Sequence, residues 1–395
     1  MNLAARLHAT TLSIALSASV LASISAPVHA ADPIRIGVPL PVTGAASRWG
    51  AFSFRGAELA AKEINDAGGV LGSRLVLARS DDQCVPAEGV SAIQRLLSVE
   101  RVAVIFGPMC SSVAKAAQPV VEQAAVPMLL AATSDPEITY KAGVGGFRWT
   151  FRNYPTDEVR TLIVLENAYQ RGVRKFALVA VDNDFGRSVH EFHRKYLPRL
   201  PGAELTSVDF FSLKEADFRP ILSKVKAAGA QVVLLYATAG DTIQVLGRQM
   251  RELGLAGKVR VMGLGDLTHP DNIKSLADVL EGAVESTLWI PQWDNPRSRR
   301  FVADYQKAYN GESPNFLAYS YWETMHLLAQ AIREAGGTKA EALRESLRTI
   351  RYQSAMGPVR FDDHNQANLP MLLLEVSAAK VVPLGTFFSQ PAYAK

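Results

Sequence analysis

The chain has 395 residues, with 42 Lys or Arg against 38 Asp or Glu, which gives a formal net charge of +4. The charges are interspersed and no Lys/Arg block stands out, so we expect no nucleic-acid partner. This length is typical of more than one domain, and 48% hydrophobic residues are enough to build sizeable cores.

Residues 1–30 have the composition of a secretory signal peptide. They carry one basic side chain, Arg6, and no acid, and a short apolar stretch leads to small residues ahead of Ala31. We predict export and cleavage after Ala30. A membrane anchor is the alternative, but the apolar stretch is shorter than the roughly 20 residues that a spanning helix needs. No later segment is predicted to span a membrane.

Apolar strand-like runs alternate with helical patterns along the rest of the chain. The predicted strands are 34–38, 75–78, 102–106, 126–130, 147–151, 175–181, 232–236, 259–262, 359–361 and 372–376. The predicted helices are 53–67, 86–98, 157–170, 187–196, 218–228, 242–253, 298–309, 320–334 and 339–348. For residues 112–123 we predict two short turns, because Pro119 interrupts a helix. This alternation predicts an α/β fold of two doubly wound parallel sheets, with a ligand cleft between them.

The junction after the third predicted strand is a candidate anion site. An apolar run ends at Gly107, and Ser111 and Ser112 then open a segment of small residues. The first N–H groups of a helix lack internal partners and carry partial positive charge. We predict that Ser111, as the N-cap, and Ser112 hold a carboxylate there. An ordinary capped helix without a ligand is the alternative.

Cys84 and Cys110 are the two cysteines of the chain. In an exported protein an even number of cysteines favours a disulfide, and we predict one between them. Two free thiols are the alternative.

Other polar clusters do not form a recognisable catalytic or metal site. His190 and His193 are three residues apart, whereas the zinc-protease pattern needs four, so we predict a solvated helix face. Residues 182–186 lack the later ligands of a calcium loop and are predicted to be a strand-to-helix turn at the cleft. Residues 362–365 are predicted to form a surface loop. The chain contains no Gly-x-Ser-x-Gly elbow and no Walker loop, so we expect neither an enzyme nor a cofactor.

A series of short motifs runs along nearly the whole chain. They are Ile36-Gly-Val-Pro-Leu, Thr43-Gly, Trp49-Gly, Ala67-Gly-Gly-Val, Asp81-Asp-Gln-Cys-Val-Pro, Gly107-Pro-Met-Cys-Ser-Ser, Asp135-Pro-Glu-Ile-Thr and Gly357-Pro-Val-Arg-Phe-Asp. In order and spacing they resemble the periplasmic solute-binding proteins of ABC importers, in particular the leucine/isoleucine/valine-binding type.

The resemblance implies two α/β lobes that close on the solute. The N-terminal lobe would comprise 31–151 and 290–362, and the C-terminal lobe 152–289 and 363–395. Three crossing strands would join them near 149–152, 287–290 and 360–370.

The resemblance also implies where a ligand binds. The family residues that hold the ligand carboxylate correspond to Ser111, Ala132 and Ser134. Two aromatic positions correspond to Trp49 and Phe185, and family members often have tyrosine at the second.

The side of the site that would bind an ammonium group departs from the family. Amino-acid binders of this type have a glutamate directly after a Met-Gly pair, whereas here Met262-Gly-Leu-Gly leads to Asp266. Asp266 or Asp241 would pair with an ammonium group, and the loop containing Thr238 would close over the ligand. A ligand without an ammonium group is the alternative.

The resemblance implies an importer component that binds a small carboxylate, in the first place a branched-chain amino acid. An aromatic or other non-amino carboxylate is the alternative ligand, and a sensor for a signalling receptor is the alternative role. The implied partner is a membrane permease and the implied location is the periplasm. We expect a monomer without a metal ion.

Overall fold

The computed structural model describes residues 31–237, 242–264 and 266–389. The predicted signal peptide lies outside these residues. The strands are β1 (Ala31–Leu40), β2 (Ser73–Asp81), β3 (Val104–Phe106), β4 (Met128–Leu130), β5 (Thr150–Arg152), β6 (Lys175–Val181), β7 (Glu204–Phe211), β8 (Val232–Tyr236), β9 (Arg260–Leu264), β10 (Val284–Thr287), β11 (Tyr352–Ser354), β12 (Gly357–Val359), β13 (Leu369–Ser377) and β14 (Lys380–Ser389). The α-helices are α1 (Ser47–Asp66), α2 (Pro86–Ser98), α3 (Ser111–Ala124), α4 (Glu137–Tyr140), α5 (Asp157–Gln170), α6 (Asp184–Tyr196), α7 (Arg219–Ala227), α8 (Thr242–Glu252), α9 (Pro270–Leu280), α10 (Pro296–Ala308), α11 (Phe316–Glu334) and α12 (Ala340–Thr349).

The first sheet consists of five parallel strands in the order β2-β1-β3-β4-β5. In the register of the central strands, Ile105 lies opposite Gly37 on one side and Met128 on the other. Both β3 and β4 are fully buried, which explains their continuous apolar sequences. One hydrophobic core joins this sheet to helices from distant parts of the chain, since Ile36, Ala57 and Leu328 belong to the same cluster.

The second sheet has seven strands in the order β14-β13-β10-β9-β8-β6-β7. Strands β6 to β10 are parallel, whereas β13 runs antiparallel to both β10 and β14. The predicted α/β fold with doubly wound parallel strands is therefore confirmed, with an antiparallel edge that the sequence pattern did not indicate. The turn into β14 is made by Ala378 and Ala379, both with positive φ. Such turns usually contain Gly or Asn, so the usual turn signal is absent.

The main chain passes between the sheets near Arg152. After β5 it continues into α5, which packs beside β10 of the second sheet. Residues 365–367 lie alongside, because the Arg152 N–H donates to the Asn365 carbonyl and the Ala367 N–H donates to the Arg152 carbonyl, both at 2.9 Å. These contacts support the proposed crossing region. The exact division into lobes stays a proposal.

Several helices differ from the prediction, most clearly α1 and α3. The first begins at Ser47 instead of residue 53, because Trp49 and Phe52 are buried on the same face as the rest of α1. The two turns predicted around Pro119 are wrong, since α3 is one helix. Pro119 is exposed, so its missing hydrogen bond falls on the solvent side of a helix whose other face packs in a core.

The predicted solvated face of α6 is wrong for one of its two histidines. His193 is fully buried, and its Nδ1 lies 2.8 Å from the Val189 carbonyl oxygen. Its Nε2 lies 3.2 Å from the hydroxyl of Tyr236 on β8. His190 is partly exposed. Because His193 is three residues after His190, it lies on the side of α6 that packs against the second sheet.

The loop at residues 362–365 is also less exposed than predicted. Asn365 is buried, and its amide donates to the carbonyls of Arg148 and Thr150 at 3.3 and 3.0 Å. In the part of the chain that the structure describes, no helix is both long enough and apolar enough to cross a bilayer.

Candidate functional site

A cavity lies where the carboxyl ends of several parallel strands meet. Its lining comes from the segments that follow β3, β4, β5, β6 and β8, from the end of β9, and from α1, α5 and α11. At such strand ends, α/β proteins bind their ligands. The lining residues are Trp49, Met109, Cys110, Ser111, Ala132, Ser134, Tyr154, Arg160, Asn183, Phe185, Ala237, Leu264, Phe316 and Leu317.

The start of α3 forms one wall of the cavity. The chain turns at Gly107, whose φ of +121° is unfavourable for a residue with a side chain. Cys110 is bonded to Cys84, which confirms the predicted disulfide and ties the start of α3 to the loop after β2. The prediction of Ser111 as N-cap is wrong by one residue, since Cys110 is the N-cap and Ser111 begins the helix. The N–H of Ser111 is still one of those without a partner inside the helix.

Ser111 contacts the segment that follows β4. Its Oγ accepts hydrogen bonds from the backbone N–H groups of Ser134 and Asp135, both at 3.4 Å. Because the oxygen acts as the acceptor in these contacts, its own hydrogen remains free to be donated. Ser111 can therefore donate to an anion while it orders the neighbouring loop.

Aromatic side chains form the apolar part of the cavity. Trp49 packs edge-on against Phe316, with ring centroids 6.0 Å apart. On the other side, Phe185 packs edge-on against Tyr236 at 6.5 Å. Gly186 explains why Phe185 can sit there, because a Cβ at this glycine would lie 1.9 Å from the Val181 carbonyl oxygen. The first turn of α6 therefore lies directly against the end of β6.

The structure brings five of the predicted ligand-binding residues together around this cavity: Trp49, Ser111, Ala132, Ser134 and Phe185. Ser112 is half-buried on α3 and does not line the cavity. Thr238 lies outside the described residues. Their roles as ligand contacts remain predictions.

Asp266, the remaining predicted site residue, is buried but is not part of the lining. Its Oδ2 accepts a hydrogen bond from the Nδ2 of Asn315 at 3.2 Å. Burial raises the pKa of Asp266, although the nearby His269 and the Asn315 hydrogen bond act in the opposite direction. Asp266 is therefore already held by a protein partner.

Lys115 on α3 connects elements of both sheets near the cavity. Its ammonium lies 2.5 Å from Glu137 and 3.4 Å from Asp135, which both follow β4 of the first sheet. It also lies 3.4 Å from Asp184, in the first turn of α6, which belongs to the second sheet. Burial lowers the pKa of Lys115. The hydrogen bond to Glu137 and the three acidic charges raise the pKa by a larger amount, so the net shift is upward. This residue is an ionic contact between the two halves.

Several lining residues were not predicted from the sequence, among them Tyr154, Arg160 and Asn183. Asn183 lies in the segment that was predicted as a strand-to-helix turn at the cleft, and that prediction is confirmed. Its Oδ1 caps α6 by accepting the Gly186 N–H at 3.1 Å. Tyr154 follows β5, a position that could have been identified from the strand ends. Arg160 lies inside a helix, where no sequence signal distinguishes it from a surface arginine.

Arg160 and Asp157 form a loose buried pair on α5. Arg160 Nη1 lies 3.8 Å from the Asp157 carboxylate. Burial raises the pKa of Asp157 to about 7, against the lowering effect of the Arg160 charge. The guanidinium also lies 5.5 Å from the ring centroid of Tyr154. A cationic group is thus buried at the cavity with a weakly held counter-ion.

Comparisons with known proteins agree with the fold. The profile of the periplasmic binding protein family matches residues 33–380. A leucine-, isoleucine-, valine-, threonine- and alanine-binding protein of Pseudomonas aeruginosa is 26% identical, over 89% of this chain and 92% of the relative. A solute-binding protein of an ABC transporter from Rhodopseudomonas palustris, in complex with 3,4-dihydroxybenzoic acid, has a TM-score of 0.81 at 23% identity and covers 91% of this chain and 98% of its own. A leucine-binding protein from Thermotoga maritima has a TM-score of 0.77 at 23% identity, with 90% and 98% covered.

Proposed function

This chain belongs to the periplasmic binding protein family, and on that premise we propose that it is the extracytoplasmic substrate-binding component of an ABC importer. It binds a small carboxylate solute reversibly and delivers it to a membrane permease. In this proposal residues 1–30 direct export and are removed after Ala30. The protein acts as a monomer, without a cofactor and without catalysing a reaction.

One observation carries the proposal: the first residue of α3, Ser111, lines the cavity that also contains the aromatic pair Trp49 and Phe316. Unpaired N–H groups and the helix dipole favour an anion at this end of α3. The apolar walls accommodate the remainder of a small organic acid. A carboxylate with an apolar body fits both features.

We propose that binding closes the two halves of the molecule. Ser111 and Ser134 belong to the half built on the first sheet, whereas Asn183 and Phe185 belong to the half built on the second. A ligand shifts an open-to-closed equilibrium only if it binds the closed state more tightly. A solute that touches both groups of residues meets this condition, and the permease would recognise the closed form.

A branched-chain amino acid is one candidate ligand. It is supported by the named specificity of the Pseudomonas aeruginosa relative and by a buried acid, Asp266, close to the end of β9. An amino acid requires a partner for its ammonium group, because an unpaired buried cation is costly.

An aromatic or other non-amino carboxylate is the second candidate ligand. It is supported by the dihydroxybenzoic acid in the Rhodopseudomonas palustris protein and by the rings of Trp49, Phe185 and Phe316 around the cavity. Offset and edge-to-face ring contacts add to the burial of apolar area.

The test is a thermal-shift and calorimetric titration of the purified protein with leucine, isoleucine, valine and benzoate. We expect at least one carboxylate to raise the Tm and to bind with a stoichiometry of about one, because a ligand that binds only the folded state stabilises it. Chromatography of the mixture should recover that ligand unchanged. If no carboxylate shifts the Tm, or if the ligand is consumed, the proposed function is wrong.

A further inference from the structure

Arg160 is a buried cation whose N–H donors are only partly used by the protein. It is 4% exposed and lines the cavity. Its Nη2 donates to the Ser286 carbonyl over a long 3.4 Å, and its ion pair with Asp157 is longer still, at 3.8 Å. Its Nε is buried without a hydrogen-bond partner in the described part of the chain. A further side-chain hydrogen bond joins Arg160 to Tyr154. Since a guanidinium has five N–H donors, these contacts leave donors for a ligand.

Arg152 shows what a buried arginine with a structural role looks like in this molecule. It is fully buried, yet its Nε donates to the side chain of Gln366 at 2.6 Å. Its two terminal nitrogens donate to the Asp135 carbonyl at 2.6 Å and to the Thr139 hydroxyl at 2.7 Å. Arg152 does not line the cavity, whereas Arg160 does. The contrast indicates that the missing partner of Arg160 is a molecule in the cavity.

The rest of the lining also favours an acceptor-rich ligand. The Nε1 of Trp49 is a second buried donor without a partner among the described residues. Ser111 adds a hydroxyl hydrogen that its own contacts do not use. Among the described lining residues there is no Asp, Glu or His that could face a cation. The polar groups of the cavity therefore mainly donate hydrogen bonds.

We propose that Arg160 determines specificity by binding the solute's carboxylate, so that the cavity selects a net-anionic acid without an ammonium group over a zwitterionic amino acid. This inference rests on the proposed function, because it requires a carboxylate in this cavity. The arginine fork matches the two oxygens of a carboxylate, and the bond between two charged groups is stronger than a neutral one. An ammonium group placed beside Arg160 would be repelled, with no lining acid described to compensate.

Asp157 moderates the charge of Arg160. Burial raises the pKa of the Asp157 carboxyl, whereas the Arg160 charge and a side-chain hydrogen bond with Ser134 lower it. Because burial raises the pKa of Asp157 to about 7, the carboxyl is mostly ionised at pH 8 and offsets part of the guanidinium charge. Replacing Asp157 by Asn removes this offset while keeping the shape of the side chain. Anions should then bind more tightly at pH 8.

The experiment uses pairs of ligands that differ only in the ammonium group: leucine with isocaproate, and phenylalanine with hydrocinnamate. Calorimetry at pH 8 should show that the wild-type protein binds the acid of at least one pair more tightly than the matching amino acid. Arg160→Met should weaken binding of that acid by about 10- to 100-fold, the range expected for one hydrogen bond to a charged group. Arg251→Met, which removes an exposed arginine on α8 that pairs with Asp278, is the control and should bind normally.

Asp157→Asn provides a second readout in case Arg160→Met does not fold. It should bind the acid more tightly than the wild type, whereas a purely structural role of the pair would weaken binding. Three results would each overturn the inference while the proposed function stands. The wild type could bind the amino acids more tightly than the matching acids, folded Arg160→Met could bind the acid as tightly as the wild type, or Asp157→Asn could bind the acid more weakly than the wild type. If no carboxylate of either class binds the wild-type protein, both the inference and the proposed function are wrong.

Discussion

The carboxylate of Asp266 accepts a hydrogen bond from the amide of Asn315 at 3.2 Å. Asp266 follows β9 of the second sheet, whereas Asn315 caps α11, a helix packed in the core of the first sheet. The contact therefore joins the two halves of the molecule beside the cavity. This gives Asp266 a role in holding the halves together, and its role as a partner for a ligand ammonium group stays a prediction.

Asp266→Asn tests these two roles. Asn keeps an oxygen that can accept from Asn315, so we expect the affinity for a carboxylate without an ammonium group to change by less than about threefold, which is within the worth of one ordinary hydrogen bond. Calorimetry with isocaproate and with leucine measures the two affinities. Asp271→Asn, in the exposed first turn of α9, is the matched control. A loss of about 100-fold or more in the affinity for leucine, with the affinity for isocaproate unchanged, would assign Asp266 to the ligand ammonium group.

Ser111→Ala should weaken carboxylate binding by about 0.5–1.5 kcal/mol, and by more if the hydrogen bond is strengthened by the ligand charge. The hydroxyl both donates into the cavity and orders the Ser134 segment, so its loss affects two contacts. Ser112→Ala is the control, because Ser112 is adjacent but does not line the cavity. Titration of both variants with the same acid decides the matter. Equal affinities would remove Ser111 from the site.

Asp184→Asn should weaken ligand binding by about two- to fivefold, since it removes the contact of Lys115 with the second half of the molecule. The effect is small because the pair is partly exposed, and it should shrink as the salt concentration rises. Lys141→Met removes an ion pair with Glu137 inside the first half alone and serves as the control. A salt-independent loss, or the same loss in the control, would contradict a role of Lys115 in closure.

His193 should make the protein less stable in acid. Burial lowers the pKa of His193 from 6.5 to about 4. Below pH 6.5 the unfolded chain therefore binds a proton that the folded chain excludes, so stability present above pH 6.5 is lost as the pH falls toward 4. The variant His193→Gln has no imidazole at this position, so its stability lacks this dependence on pH.

Urea unfolding at about pH 7 and about pH 4.5 compares the two proteins. The stability advantage of the wild type over His193→Gln should narrow at the lower pH by on the order of 2–3 kcal/mol, since one pKa unit corresponds to about 1.4 kcal/mol. A difference that stays constant between the two pH values would contradict the assignment.

Much of the fold could be predicted from hydrophobic periodicity, because long amphipathic segments bury one face. The helices α2 and α5 and the strands β6 and β8 have the predicted limits. By contrast, β7 was missed because its residues are mostly half-exposed at the sheet edge, so their pattern is mixed. The helix α9 and the short buried strand β10 were missed as well. Local sequence therefore predicts long, strongly periodic elements better than short or edge elements.

The candidate site was predictable only where residues follow a strand directly. Ser111 and Ser134 lie just after β3 and β4, and the carboxyl ends of neighbouring parallel strands meet at one edge. Arg160 lies on the second turn of α5, and only the packing of α5 beside β10 brings it to the cavity. The contact between Asp266 and Asn315 joins residues 49 positions apart. Such long-range contacts have no signal in a single sequence.

A crystal structure with the carboxylate that raises the Tm most would test the central claim most directly. We predict that the ligand lies in the cavity between the two sheets, with its carboxylate within hydrogen-bond distance of Ser111 Oγ and of the first N–H groups of α3. A ligand bound elsewhere, with water alone at the start of α3, would contradict the account.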